Sequence, residues 1–185
     1  MFRSYKTNGL VLKRSNFGES DKLLTVFTHN FGKIFLIAKG IRKIHSRKAS
    51  HLELFNIVTI YAAIGKKFDY ITEAETYRSF KKLKKNLTRI IFAYQVLEII
   101  NLLCPEKEQH SEIYNLMIDA MNKLDGSDEE PGLILESFSS AILQNLGFLP
   151  REKKLKGYEL KNFLRETVEK NLKSEELLTH LSGKV

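Results

Sequence analysis

The chain has 185 residues, of which 43% are apolar, and this is enough apolar material for one good core or two small ones. No apolar run approaches the roughly 18 residues of a membrane-spanning helix, and the start MFRSYKTNG lacks the apolar centre of a signal peptide, which excludes a membrane protein and predicts a soluble, cytoplasmic one. Residues 1–85 hold 18 Lys and Arg against 6 Asp and Glu, a balance of +12, and residues 86–185 hold 12 against 16, a balance of −4, which together give the net charge of +8. This division predicts a polyanion-binding module joined to a module with another role.

The first 80 residues have the pattern of a small antiparallel β structure. Short runs rich in β-branched and aromatic residues are separated by glycine turns, which predicts five strands. The predicted strands are residues 7–13, 23–28, 33–39, 55–64 and 69–77. The short linkers HNFG and GKKF predict that strands two and three, and strands four and five, form antiparallel hairpins. Five strands in this length predict a closed barrel of the size of an OB-fold.

The basic run KGIRKIHSRK, residues 39–48, connects the third and fourth predicted strands and contains no acidic residue. In a barrel of this type the run lies beside the face and loops that OB-folds use for nucleic acid. We therefore expect it to act as a flexible electrostatic clamp on phosphates, with a merely solvated loop as the alternative interpretation. The predicted DNA-binding residues are Lys39, Arg42, Lys43, Arg47 and Lys48 in the run, with Arg14 and Lys33 near neighbouring strand ends.

Aromatic residues of the predicted barrel are a second, weaker indication of nucleic-acid binding. Phe17, Phe31, Phe35 and Tyr61 are candidates for stacking on bases. At least half of such residues are expected in the barrel core, and the sequence does not separate the two groups.

After residue 80 the apolar spacing becomes helical. Apolar residues between 87 and 103 surround nearly the whole helix axis, which indicates a buried helix that ends before Pro105. Two further helices are predicted at about 113–124 and 132–146, and the apolar residues of a fourth are Leu160, Phe163, Leu164, Val168 and Leu172. The predicted fold class is therefore α+β. A five-stranded OB-fold barrel domain at residues 1–80 is followed by an all-α helical bundle domain at residues 81–185.

Residues that perform catalysis or bind metals show no recognisable spacing. The five histidines lack the HExxH pattern, the motifs GxGxxG, GxxxxGK[ST] and GxSxG are absent, and the one cysteine, Cys104, excludes an internal disulfide and a multi-cysteine zinc site. Glu73 and Glu75 share a face of the fifth predicted strand, but the solvent face of an outer strand explains them more simply. The sequence thus predicts no enzyme, no cofactor and no metal, and a hydrolase or transferase is the least favoured class.

The run GESDKLLTVFTHNFGKIFLIAKGIRKIHSRKASHLELFN, residues 18–56, contains GESD, an FT followed by a glycine turn, and AKG ahead of a basic SR segment. It resembles the amino-terminal domain of the RecO family of bacterial recombination mediators. The resemblance continues more weakly through AETYRSF at 74–80, LGFLP at 146–150 and the closing FLRETVEKNLKS. The family implies an OB-fold followed by a helical domain, binding of single- and double-stranded DNA and annealing of complementary strands. It also implies partners, RecR and the single-stranded-DNA-binding protein.

One segment departs from the family pattern. Many RecO-like chains carry a four-cysteine zinc module after the LGFxP segment, whereas REKKLKGYE at 151–159 contains no cysteine. We therefore carry no zinc over, and contact with RecR is only an implication of the resemblance. Two alternatives stay open on the residues alone: a general RNA-binding or translation-associated OB-fold module, and a scaffold whose basic surface docks acidic protein tails.

Overall fold

The structure is a computed structural model and describes residues 3–168 of the chain. The chain forms two compact units. The first contains the residues up to Ser79 and the segment Cys104–Ser111, and the second contains Phe80–Leu103 and the described residues from Glu112 onward. Within the described part of the chain, no helix combines the length and the apolar character needed to cross a membrane.

The first unit is a β-barrel. Its strands are β1 (Ser4–Phe17), β2 (Asp21–Thr28), β3 (Gly32–Ala38), β4 (Asn56–Ala63) and β5 (Asp69–Ser79). The strands close in the order β1-β2-β3-β5-β4, and β4 pairs back onto β1. The two predicted hairpins, β2 with β3 and β4 with β5, are confirmed. β3 and β5 are parallel neighbours, paired through Leu36 opposite Asp69 and Ile37 opposite Tyr70.

β1 is longer than predicted because it pairs with two neighbouring strands. Residues 4–10 pair with β4, while residues 9–17 pair with β2. Gly9 lies where the two pairings overlap, and a Cβ atom there would be 2.5 Å from Cγ1 of Val26. A larger residue at this position would therefore force β1 and β2 apart.

The barrel interior is filled by aliphatic side chains from all five strands. The fully buried members include Val11 on β1, Leu24 on β2, Leu36 on β3 and Ile60 on β4, and Ile71 of β5 is nearly so. In β3, both faces of the strand are covered, so the consecutive apolar residues IFLIA are buried or half-buried. This explains why apolar and polar residues do not alternate along this strand.

The second unit is helical, as predicted. After a short 3₁₀ turn at Leu83–Lys85 come α1 (Leu87–Leu103), α2 (Ser111–Gly126), α3 (Pro131–Asn145) and α4 (Gly157–Val168). α1 is buried on several faces and packs on α3, which also contacts α4. The predicted fourth helix is confirmed as far as Val168, whereas Leu172 lies outside the described residues.

The guanidinium of Arg89, near the start of α1, holds the end of α2. It donates hydrogen bonds to the carbonyl oxygens of Leu124 at 2.9 Å, Ser127 at 2.8 Å and Lys123 at 3.3 Å. The carbonyl oxygens of Leu124 and Ser127 lie at and just beyond the end of α2, where intrahelical donors are lacking, and that of Lys123 also accepts from the N–H and the hydroxyl of Ser127. One cation therefore satisfies several carbonyl groups of a helix end.

The segment Cys104–Ser111, called here the interhelical segment, lies against the β2–β3 turn of the barrel. The Lys107 N–H donates a hydrogen bond of 2.9 Å to the carbonyl oxygen of Lys33. Gly32 has φ of +61°, and a Cβ atom on it would lie 1.8 Å from the carbonyl oxygen of Glu108. Only glycine fits this contact. The predicted division into 1–80 and 81–185 did not anticipate this return of the chain, and it stays a prediction.

Candidate nucleic-acid interface

Three connections meet at one end of the barrel. They are the β1–β2 turn (residues 18–20), the β4–β5 turn (residues 64–68) and residues 39–55 between β3 and β4, called here the basic connection. The Arg42 N–H donates a hydrogen bond of 3.0 Å to the carbonyl oxygen of Ser20, and the guanidinium of Arg42 lies 3.5 Å from the carbonyl oxygen of Gly18. Phe17 is the last residue of β1, beside the β1–β2 turn, and Phe68 belongs to the β4–β5 turn. The centroids of their rings are 6.1 Å apart.

The basic connection follows a path of successive turns. It begins at Gly40, whose φ of +64° suits glycine and whose N–H donates a 2.7 Å hydrogen bond to Oδ1 of Asp21. A hydrogen bond between the N–H of Ser46 and the carbonyl oxygen of Lys43 closes a later turn. Ile41 near the start of the connection and Leu52 near its end are both buried in the barrel core. The backbone of the predicted clamp is thus attached to the barrel on both sides of its cations.

Four of the predicted cations are exposed on this connection: Lys39, Arg42, Lys43 and Arg47. The Nζ atom of Lys39 lies 4.3 Å from the centroid of the Tyr70 ring, a distance at which a cation is attracted to the ring face. The structure therefore presents these four side chains from one short stretch of backbone.

Lys48 has a different position from the other predicted cations of the run. Its Nζ donates a hydrogen bond of 2.9 Å to the carbonyl oxygen of Ile71 in β5. Burial lowers the pKa of the Lys48 ammonium, and the nearby Asp21 partly opposes this shift. Lys48 thus attaches the basic connection to β5.

Arg14 and Lys33 are less exposed than these four cations. Arg14 forms an ion pair with Glu53, and its side chain is 16% exposed. Lys33 is 8% exposed and lies on β3 where the interhelical segment passes. Burial lowers the pKa of Lys33, with the Cys104 thiol and Glu106 acting in the opposite direction. Contact of Arg14 and Lys33 with DNA stays a prediction.

Aromatic rings alternate with cations at the same end of the barrel. Phe17 is 41% exposed and meets Phe68 at an interplanar angle of 77°. Lys67 places its Nζ 5.7 Å from the centroid of the Phe68 ring. Sequence reasoning missed Lys66, Lys67, Phe68 and Tyr70, although the run GKKFDY carried the signal, because it was interpreted only as a hairpin turn.

The other predicted stacking residues lie elsewhere on the barrel. Phe31 belongs to the β2–β3 turn, at the opposite end of β3, and its ring is 5.1 Å from that of Tyr5. Tyr61 lies under Lys6, whose Nζ is 5.1 Å from the ring centroid. Phe35 is half-buried in β3. Of the four candidates, Phe17 is the one that lies beside the exposed cations.

Three acidic side chains at this end of the barrel have partners, whereas Glu19 in the β1–β2 turn is exposed. Asp21 accepts from Gly40, and Glu53 pairs with Arg14. Asp69 accepts a 2.8 Å hydrogen bond from the hydroxyl of Tyr5 and a 3.1 Å hydrogen bond from the N–H of Gly65. Burial, with a smaller contribution from Asp69, raises the pKa of the Tyr5 hydroxyl above its usual range. The exposed cations Lys39, Arg42, Lys43, Arg47, Lys66 and Lys67 outnumber the carboxylates of Glu19, Asp21, Glu53 and Asp69, so the local field is positive.

Residues 1–80 match the family model "Recombination protein O N terminal", and residues 84–154 match "Recombination protein O C terminal". The chain belongs to the RecO family. The predicted family and the predicted fold, an OB-fold barrel followed by helices, are thus confirmed.

Several curated RecO proteins resemble this chain. It is 33% identical over 150 residues to the DNA repair protein RecO of Rubrobacter xylanophilus, covering 80% of this chain and 59% of that protein. It is 30% identical over 149 residues to that of Roseiflexus sp., covering 80% of this chain and 52% of the relative. The alignment with that of Symbiobacterium thermophilum has 29% identity over 146 residues, and covers 79% and 58% of the two proteins. The chain thus spans between half and three fifths of the length of these relatives.

Proposed function

We propose that this RecO-family chain binds single- and double-stranded DNA and anneals complementary strands in DNA repair and recombination. The proposed binding surface is the end of the barrel where the basic connection meets the β1–β2 and β4–β5 turns. The observation that carries the proposal is the exposure of Lys39, Arg42, Lys43 and Arg47 on a backbone attached to the barrel. The cations of the β4–β5 turn, Lys66 and Lys67, are also exposed.

Charge neutralisation is the proposed source of affinity. Each phosphate that pairs with Lys or Arg releases condensed counterions, which gives binding that depends little on sequence and strongly on salt. Because the basic connection is attached to the β1–β2 turn through the backbone of Arg42 and to β5 through Lys48, its backbone does not need to be ordered by the ligand. Less conformational entropy is then lost on binding.

Annealing follows from the same cations. Two complementary strands repel each other through their phosphates, and a protein surface with several exposed cations lowers this repulsion for both strands. Phe17 and Phe68 provide ring surfaces for bases that are not yet paired. The reaction has no covalent step, so we expect it to proceed without nucleotide hydrolysis.

The proposed partners come from the family resemblance. They are a RecR-like protein and the single-stranded-DNA-binding protein, and the names of the curated relatives support a role in DNA repair. The described residues contain no group of three or more His, Cys, Asp or Glu side chains suited to a metal ion.

A strand-annealing assay tests the proposal. The protein is mixed with complementary oligonucleotides, and duplex formation is followed by fluorescence quenching with and without ATP, and with and without a chelator. We expect faster annealing under all four conditions. No acceleration, or acceleration that needs ATP or a divalent metal at a protein site, would contradict the proposed mechanism.

Competition between matched DNA and RNA oligonucleotides tests the second candidate function, an RNA-binding module. The basic barrel alone does not distinguish the two sugars, because recognition of the 2′-hydroxyl needs specific side-chain placement. We expect DNA to compete at least as well as RNA of the same sequence. A strong preference for RNA would replace DNA annealing by RNA binding as the proposed function.

A further inference from the structure

Ile44 is an apolar residue at the outermost part of the basic connection. Its side chain is 97% exposed, and it sits directly after Lys43 in the turn that the Lys43–Ser46 hydrogen bond closes. Exposed cations lie on both sides of it, Arg42 and Lys43 before and Arg47 after. A fully hydrated isoleucine is therefore presented from the centre of the proposed phosphate-binding surface.

Two other aliphatic side chains of the basic connection have a structural role that Ile44 lacks. Ile41 is 3% exposed and Leu52 is fully buried, and both belong to the barrel core. The connection is thus anchored without Ile44. A single exposed apolar residue is common on protein surfaces and by itself indicates nothing. Here the position matters, because Ile44 lies between Lys43 and Arg47, and the bases of a nucleic acid whose phosphates bind these cations can approach its side chain.

We propose that Ile44 is an apolar wedge that enters between neighbouring bases of bound DNA, while Arg42 and Arg47 contact the flanking phosphates. The proposal rests on the proposed function and deepens it. Proteins that combine Arg or Lys contacts with an inserted aliphatic side chain unstack a base step, and the added contacts offset the cost of unstacking. The β-branched side chain of isoleucine is stiff at χ1, so little rotamer freedom is lost on insertion.

The wedge has two consequences for the bound nucleic acid. Flexible pyrimidine–purine steps, which unstack most easily, become preferred sites of insertion in a duplex. In a single strand, separated bases present their pairing edges to a complementary strand, which favours annealing. The preference concerns deformability and not base identity, so it adds no hydrogen-bonded readout of the sequence.

Fluorescence of 2-aminopurine tests the wedge directly, because this base becomes brighter when it is unstacked. The probe is placed beside a central TA step in a duplex, and in a single strand of the same sequence. With the intact chain we expect fluorescence to rise on saturation. Ile44→Ser should lose most of the rise, whereas Ile44→Leu, which keeps an aliphatic side chain, should retain it. Because phosphate contacts remain, the affinity of Ile44→Ser should fall by less than about tenfold.

Leu133→Ser is the matched control, since Leu133 of α3 is 53% exposed and the substitution removes a similar apolar side chain. It should keep the full fluorescence rise. Thermal melting of each variant verifies folding, which an exposed site such as Ile44 should not disturb.

The outcomes separate the wedge from the proposed function. If Ile44→Ser binds DNA and keeps the full rise, the wedge is wrong and DNA binding stands. If the intact chain does not bind DNA at all, both proposals fall. If Ile44→Ser leaves the DNA signal unchanged but weakens binding of an acidic peptide with an apolar end, Ile44 contacts a protein and the wedge is again wrong.

Discussion

The backbone N–H of Arg42 donates a hydrogen bond of 3.0 Å to the carbonyl oxygen of Ser20 and so attaches the basic connection to the β1–β2 turn. The attachment uses the backbone of Arg42, and the guanidinium is exposed toward solvent near Gly18. Substituting the side chain therefore removes a cation and leaves the main anchor in place. This separation makes Arg42 a suitable site for testing phosphate contact.

Replacing Arg42 and Arg47 together with alanine should weaken DNA binding about equally for unrelated sequences. Each lost phosphate contact should flatten the plot of log K against log salt by about 0.7 on single strands and about 0.9 on duplex, so we expect a decrease of about one to two units. The free energy of unfolding should change by less than about 0.5 kcal/mol, because exposed charges contribute little. Titrations at several salt concentrations measure both the affinity and the slope.

The control for this pair is Lys153→Ala with Lys154→Ala, which removes the same charge from exposed positions outside the barrel. It should keep most of the wild-type salt slope. If the arginine variant folds normally and also keeps that slope, the cations of the basic connection do not contact phosphates, and the binding surface lies elsewhere.

Gly32→Ala should displace the interhelical segment. The new Cβ would lie 1.8 Å from the carbonyl oxygen of Glu108, and φ is +61°. Gly18→Ala is the matched control, because Gly18 has φ of +63° but no heavy atom within 4 Å of the built Cβ. The control should be destabilised by about 1 kcal/mol through the backbone alone, and Gly32→Ala clearly more, as measured by chemical unfolding. Equal losses would show that the segment does not press on Gly32.

The thiol of Cys104 should be unreactive in the folded chain. Cys104 is 1% exposed, and burial raises the pKa of its thiol from 9.0 to about 12. Since the thiolate is the nucleophile, a disulfide reagent at about pH 8 should react only after denaturation. Rapid reaction of the native chain would place the thiol at the surface.

The raised pKa of Cys104 also predicts a pH dependence of stability. The folded state holds the thiol proton more tightly than the unfolded state, so this stabilisation is complete below pH 9.0 and is lost as the pH rises toward about 12. The wild type should therefore lose stability relative to Cys104→Ala by up to about 1 kcal/mol per pH unit above about pH 9. Unfolding curves of both proteins between about pH 8 and about pH 10.5 measure the difference, and parallel curves would contradict the prediction.

Arg89→Ala should destabilise the helical unit. The guanidinium donates to the carbonyl oxygens of Lys123 and Leu124 in α2 and of Ser127 just after it, and its removal leaves the carbonyl oxygens of Leu124 and Ser127 without this donor. We expect a loss of about 1–3 kcal/mol in the free energy of unfolding. Arg151→Ala, at an exposed position, should change it by less than about 0.5 kcal/mol. Similar values for the two variants would mean that the carbonyl oxygens of α2 do not depend on Arg89.

Local patterns in the sequence determined the order and type of the elements. Strand periodicity and glycine turns predicted the five strands and both hairpins, and the helical spacing after residue 80 predicted the four helices. These signals are readable because each depends on residues that are close in the chain. The charge imbalance likewise located the basic half, because a count of charged residues along the chain needs no knowledge of their contacts.

Tertiary structure alone decided which cations are exposed and which rings accompany them. In the sequence, Lys48, Arg14 and Lys33 are basic residues like Arg42, and nothing local distinguishes them. In the structure, Lys48 donates a hydrogen bond to β5, Arg14 pairs with Glu53, and Lys33 is buried beside the interhelical segment. Barrel closure through the parallel β3–β5 pairing brings the β4–β5 turn beside the basic connection. Such contacts join residues that are far apart in sequence, and their register depends on packing of the whole barrel, so no local pattern specifies them.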